Sequence, residues 1–237
     1  MRPRYEFKYV LAPGQIEQVR AYAQTYLERD ALGDDGCYIV TSLYYDTMDW
    51  RFAADVREGL RERIKLRVRH YEGPATFAEI KERVGLTILK ERALIPAGLV
   101  DHVVHRTPFV GELPGSLGRW CGFRDTMVLH PRVWVAYDRE AWGSPFGDGA
   151  RLTFDRHVRV QAYKLGRTRP PADGWMPSGP ETLLELKFGA AWPGWMKKMV
   201  QRLQLRRISN SKYMVGATTL GDLPWSDLER SVTWTAC

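Results

Sequence analysis

Charged and apolar residues alternate with a period of two through several stretches of this chain, and that period predicts β-strands. Residues 4–10 put Arg4, Glu6 and Lys8 on one face and Tyr5, Phe7 and Tyr9 on the other. Residues 38–45 are β-branched and aromatic, as strands prefer. In 60–71, Arg61, Arg63, Lys65, Arg67 and Arg69 share one face and Ile64, Leu66 and Val68 the other. After a turn at Gly73-Pro74, residues 76–83 read as the antiparallel partner, with Glu79, Lys81 and Arg83 opposite Ala78 and Ile80. Residues 86–95 continue with Lys90 and Arg92 in step. Residues 132–142 and 151–161 predict a hairpin around the loop 143–149, and 182–188 a last strand carrying Leu183, Glu185 and Lys187 on one face.

Between the strands the period lengthens. Ile16, Val19, Ala23, Tyr26 and Leu27 form one stripe of a helix, and Met196, Met199, Val200 and Leu203 another. A short helix is expected within 47–56, short helices and loops over 97–130, and a loop over 164–180. The two longer helices, 15–28 and 196–206, are expected to cover the apolar face of the sheet. One domain over 1–225 and a poorly ordered tail over 226–237 follow.

A charged strand face is commonly just a solvated face. Here, however, five cations stand in a row on one strand, and like charges side by side destabilise pairing. An excess of 35 Lys and Arg over 28 Asp and Glu gives +7 and a pI near 9.4, which suits a polyanionic partner. If the sheet closed into a barrel, its charged face would line the bore, with Glu6, Glu79, Asp155 and Glu185 as balancing carboxylates. Arg grips phosphate oxygens bidentately and Lys as a mobile point charge, so a linear phosphate chain fits such a bore.

Other chemistries find little support. No GxxxxGK[ST] loop and no GxGxxG after a strand occurs. Cys37, Cys121 and Cys237 are odd in number and far apart, and His102 and His105 lack further ligand types nearby, so neither a disulfide framework nor a zinc site is expected. No apolar run approaches the roughly 20 residues that span a bilayer. No signal-peptide pattern opens the chain, and a cytoplasmic location is expected. Nucleic acid is not an expected partner, because the charged faces hold few aromatics for stacking.

The ordered set RYEFKY at 4–9, SLYYDT at 42–47, KLRVRHY at 65–71, AEIK at 78–81 with Lys90, AYDREAW at 136–142, RLTFD at 151–155, LLELKF at 183–188 and SKY at 211–213 resembles the VTC domain. That is the polyphosphate polymerase domain within the CYTH-like triphosphate tunnel metalloenzymes. The resemblance implies an α+β fold, an antiparallel β-barrel tunnel with helices outside. It also implies ATP-dependent polyphosphate synthesis with Mn2+ or Mg2+. Lys8, Arg67, Arg69, Lys81 and Lys90 would hold phosphates. Arg139, Arg151, Lys187 and Lys212 would extend the grip toward the γ-phosphate or the growing chain. Glu185 would be the principal metal ligand, with Glu6 and Glu79 as further candidates for binding metal or orienting lysines. Hydrolases of the wider superfamily open with Glu-x-Glu-x-Lys. Here Arg4 replaces the first Glu, which counts against a two-metal triphosphatase. Arg61 and Arg63 would sit at the tunnel mouth.

Overall fold

A curved antiparallel sheet carries nearly every strand expected from the alternation. The computed structural model describes residues 4–85 and 87–225; the tail set apart above, 226–237, lies outside them. In chain order the first elements are β1 (Tyr5–Val10), α1 (Pro13–Tyr26), β2 (Glu28–Arg29), β3 (Cys37–Asp46), α2 (Arg51–Arg57), β4 (Glu62–Tyr71), β5 (Thr76–Val84) and β6 (Thr87–Ile95). Then come α3 (Val100–His105), α4 (Gly115–Thr126), β7 (His130–Gly143), β8 (Arg151–Ala162), β9 (Met176–Pro177) and β10 (Thr182–Phe188). The last are α5 (Gly194–Arg202), β11 (Arg207–Ile208) and α6 (Lys212–Leu220). The main path runs β11-β1-β10-β8-β7-β3-β4-β5-β6, with β2 on β7 and β9 on β8.

The sheet does not close into the expected barrel. It curls until β1 and β6 approach, but they share an isolated bridge between Arg4 and Ile88 instead of a ladder. Side chains cross this seam, as the Lys81 ammonium donates to Glu6 Oε2 at 2.9 Å.

The convex face is apolar because alternate strand residues are. Leu66, Val68, Ala78 and Ile80 pack under Val103 and Val104 of α3 and Leu117, Trp120 and Cys121 of α4. Cover of the apolar face is predicted for the 15–28 and 196–206 helices; this half is covered instead by α3 and α4 of the 97–130 segment. The other half follows expectation. Leu152, Phe154, Leu184 and Leu186 meet Val19 and Ala23 of α1 and Met196 and Met199 of α5. Each of these leucine, phenylalanine, valine and methionine side chains, fully buried, is worth about 1.5–3 kcal/mol. Tyr26, expected in that stripe, lies outside the core and stacks on Trp195 at 4.9 Å.

α6, over a stretch beyond the predicted 196–206 helix for which no element is expected from the sequence, lies on the opposite, concave face. A bulge makes this arrangement possible. At β8 the register against β7 shifts, and His157 adopts φ +49°. Arg151, Thr153 and Asp155 precede the bulge and face the bore; beyond it Val158 and Val160 share that face. They join Val133, Val135, Tyr213 and Ala217 in a core that seats α6. Gly216 permits the close approach, since a Cβ there would stand 2.8 Å from Val160 Cγ1. Asp46 ties the end of β3 to both neighbouring helices. It accepts from the backbone N–H groups of Phe52 (2.9 Å) and Ala53 (3.0 Å) in α2 and from the Tyr213 hydroxyl in α6.

Candidate functional site

The concave face encloses a cavity of about 610 Å³. Twelve Lys and Arg side chains line it, against two carboxylates, Glu6 and Glu185. All nine cations proposed from the sequence are among the twelve: Lys8, Arg67, Arg69, Lys81, Lys90, Arg139, Arg151, Lys187 and Lys212. Arg4, Lys65 and Arg92 complete the set. Strand register explains the convergence, because residues of like parity on paired strands share a face. Arg67 stands opposite Glu79, and Glu79 opposite Arg92. Lys65 stands opposite Lys81, and Lys81 opposite Lys90. On the far wall Glu6 pairs with Lys187 and Lys187 with Arg151, while Lys8 pairs with Glu185.

Three carboxylates hold these cations in place. Glu79 is fully buried. Its Oε2 accepts from Arg67 Nε (2.8 Å) and Nη2 (2.6 Å), and its Oε1 from Arg92 Nε (2.9 Å) and Lys90 (2.7 Å). Burial alone would raise this carboxyl; Arg67, Arg69 and Lys90 outweigh it and hold it well below the usual carboxylate range. Asp155, also buried, accepts a two-pronged grip from Arg139 at 2.7 and 2.8 Å and a further bond from Lys212. Glu185 accepts from Lys212 at Oε1 (2.8 Å) and from Lys187 at Oε2 (2.7 Å), with Lys8 at 3.6 Å and Arg139 at 3.5 Å. Burial opposes ionisation of Glu185, but Lys187, Lys212 and Lys8 keep its carboxyl well below the ordinary value.

The crowding strains the lysines. Burial pushes Lys90 down to about 6, with Glu79 resisting and Arg67 and Arg69 adding to the fall. Burial likewise pushes Lys187 down to about 8 against the pull of Glu185. Lys212 moves the other way: burial opposes its charge, but Asp155 and Glu185 prevail and raise it. Such a bore has room for negative charge, and the electrostatic cost of its cations is met only in part by its own acids.

The VTC domain family model matches residues 3–220. The chain belongs to the VTC domain family. No curated protein matches the sequence. Among solved structures, this VTC domain is similar to a putative adenylate cyclase from Bacillus halodurans, with TM-score 0.53 and 11% identity over 89% of this chain and 94% of that one. That likeness concerns the fold, a sheet-rich antiparallel α+β architecture. A second similar structure is the PH1819 protein of Pyrococcus horikoshii OT3, with TM-score 0.45 and 14% identity over 89% and 93% of the two chains.

The three carboxylates named as metal candidates differ in this VTC domain. Glu79 does not suit a metal: it has no exposed surface and, unlike Glu185 and Glu6, does not line the cavity, so its position is that of an orienting counter-charge. Glu185 and Glu6 line the cavity and offer hard oxygen donors of the kind Mg2+ or Mn2+ takes. Among the described residues no three His, Cys, Asp or Glu side chains stand together as a ligand set. One or two carboxylates suffice where the remaining ligands are substrate phosphates and water, so this pair fits a cation that arrives on a phosphate chain.

Some lining residues of the VTC domain escaped the sequence reading. Tyr38 and Tyr44 face the cavity, and Arg67 Nη1 donates to the Tyr44 hydroxyl at 2.8 Å. Burial would raise that phenol, but Arg67 and Arg69 together lower it. The parity of 38, 40, 42 and 44 carried the signal, masked by the apolar character of both faces of β3. Lys65 and Arg92 were on the recognised face but were not singled out. Among the described residues no helix is long and apolar enough to cross a membrane.

Proposed function

We propose that this chain is a metal-dependent polyphosphate polymerase, moving the γ-phosphoryl group of ATP onto a growing polyphosphate chain. The observation that carries this conclusion is the bore itself, in which twelve cations from separate strands and α6 face one cavity with two lining carboxylates. Membership of the VTC domain family supports it.

Arg67, Arg69, Lys81 and Lys90 hold the phosphates of ATP, and Lys8, Arg139, Arg151, Lys187 and Lys212 extend the grip along the chain. Phosphoryl transfer needs positioning and charge stabilisation more than covalent chemistry from the protein. Here the cations are fixed before substrate arrives, as Arg139 and Lys212 are by Asp155, so little reorganisation accompanies reaction. A terminal oxygen of the acceptor chain forms the new P–O bond to the γ-phosphorus, in line with the breaking bond to the β-phosphate oxygen. ADP leaves with that oxygen. Mn2+ or Mg2+, held by Glu185 and Glu6, would supply further neutralisation of the phosphate oxygens. Arg4 lines the cavity where a superfamily hydrolase would have an acid, which favours binding a phosphate chain over activating water.

The test is incubation with ATP and Mn2+, with and without a short polyphosphate primer. Polymer would be resolved on a gel, and ADP and free phosphate assayed alongside. Polymer plus ADP, lost in Glu185→Gln and in the Arg67→Ala/Arg69→Ala double variant, is the expected result. Free phosphate without polymer would replace the polymerase with a triphosphatase. Tight polyphosphate binding without either product would make the bore a binding module.

A further inference from the structure

Three turns meet at one end of the sheet, outside the bore, and each carries an apolar side chain at its tip. The end of β3 pairs with the start of β7 through Asp46 and His130, and β7 pairs with the end of β8 through Val133 and Ala162. The segments that leave these strand ends are therefore neighbours. Past β8, the Tyr163 N–H still donates to the Arg132 carbonyl at 2.8 Å.

The first turn runs from Thr47 to Trp50, closed by the Trp50 N–H on the Thr47 carbonyl at 3.2 Å, and places Met48 at its corner. The second follows α4, where Val128 takes φ +50°. Glycine or asparagine is the usual choice there, and a β-branched residue in that conformation is rare. The third runs from Lys164 to Arg167, closed by the Arg167 N–H on the Lys164 carbonyl at 3.2 Å. Gly166 at φ +85° takes its third position and leaves Leu165 at the corner. Met48, Val128 and Leu165 are 67%, 59% and 94% exposed. One exposed apolar residue needs no explanation, but three on adjoining turns, where polar residues are the rule, mark a surface that meets something.

The surroundings of the tips are basic. Arg51, Lys164 and Arg167 are exposed, and none makes an ion pair with a described carboxylate. Arg132 reaches Met48 Sδ with Nη1 at 3.7 Å and lies over the Trp50 ring at 4.0 Å, which ties the first turn to β7. Asp49 and Asp55 lie near Arg51 and Asp222 near Arg132, without pairing with them. Separate aliphatic points among cations suit a partner that is negative at its surface and apolar just beneath it. Single-stranded nucleic acid would call for aromatic tips on which bases stack. A protein hot spot favours aromatic anchors held in a pocket.

We infer that this end of the sheet docks on an anionic lipid bilayer. Met48, Val128 and Leu165 enter the boundary between headgroups and acyl chains, while Arg51, Lys164 and Arg167 meet the lipid phosphates. The contact is peripheral and independent of what the bore binds.

The experiment is co-sedimentation of the whole protein with vesicles of phosphatidylcholine alone and of phosphatidylcholine mixed with phosphatidylglycerol. Wild type is compared with Lys164→Gln/Arg167→Gln and with Met48→Ser/Leu165→Ser. Wild type should partition at least about tenfold more strongly onto the anionic vesicles, and less so as salt is raised. Each double variant should lose about tenfold or more of that partitioning, the first through charge and the second through buried apolar area. Both should keep Tm within about 2 °C of wild type, because the altered side chains are exposed. Tripolyphosphate sufficient to fill the bore should leave vesicle binding within about twofold. Loss of vesicle binding on adding tripolyphosphate would place the lipid contact in the bore and overturn the inference. Equal binding to both vesicles, or full binding by the Met48→Ser/Leu165→Ser variant, would overturn it too. A wild type that binds neither vesicle would overturn it and leave the three tips to a protein partner.

Discussion

Replacing Glu79 by Gln removes the charge around which one wall of the bore is organised. The side chain keeps its size, but Arg67, Arg69, Lys90 and Arg92 lose the carboxylate they share. Removing one member of a buried ion pair costs about 3–5 kcal/mol. Two features put this site at the low end. Lys90 and Arg92 are 39% and 37% exposed, so solvent screens them. Lys90, already pushed down to about 6, can also shed its proton. A loss of about 3 kcal/mol in a domain of this size lowers Tm by about 6–12 °C. Tripolyphosphate supplies negative charge to the same wall, so it should raise Tm more in the variant than in the wild type at equal ligand concentration. The assay is thermal unfolding followed by intrinsic tryptophan fluorescence, with and without tripolyphosphate. A variant whose empty Tm stays within about 2 °C of wild type would refute the counter-charge role. So would a smaller ligand-induced shift than in wild type.

Two further outcomes follow from the geometry. Lys187 and Lys90 are depressed to about 8 and about 6, so the folded chain binds fewer protons there than the unfolded one. Their contribution to the stability of the empty protein is full above the ordinary lysine pKa and is lost as pH falls through 8 and toward 6. Phosphate binding favours the protonated lysines and runs the opposite way. Tripolyphosphate affinity should weaken from pH 6 to 9, and titration in buffers of different ionisation enthalpy at pH 8 should show net proton uptake; zero uptake would contradict it. Gly216→Ala forces a methyl to 2.8 Å from Val160, an overpacking worth about 1–3 kcal/mol that exceeds alanine's helical advantage of about 1 kcal/mol. It should lower Tm and, by displacing α6 and so Lys212, weaken tripolyphosphate binding, whereas unchanged values of both would show that α6 is not seated as described.

The strands and the composition of the bore were legible because both depend on local parity. A period of two places Arg67, Arg69, Lys81, Lys90, Glu185 and Lys187 on one surface whatever the sheet does at larger scale. What was not legible depends on partners far apart in sequence. Glu79 and Glu185 are identical in pattern, each alternating with lysine or arginine. Only register shows that Glu79 is enclosed by β4 and β6 cations while Glu185 borders the cavity. The position of α6 was hidden by the β8 bulge, which changes the parity of 158 and 160 with no glycine or proline to announce it. Covering of the convex face by α3 and α4 was missed because α3 spans only six residues and α4, though longer, is broken by Gly115, Gly118 and Gly122 and buries Arg124 beside Leu117, Trp120 and Cys121, so its apolar stripe is faint.

The seam between β1 and β6 gives the molecule the mechanics of a split ring. In a sealed pipe the circumference is fixed by unbroken ladders, and widening it would break several backbone hydrogen bonds at once. Here the margins meet, among the described residues, at the Arg4–Ile88 rung and through the Lys81–Glu6 ion pair. The gap can therefore spread at the cost of those links while the rest of the sheet stays intact. A polymer too long to be threaded by its end has, in such a ring, a sideways route into the bore.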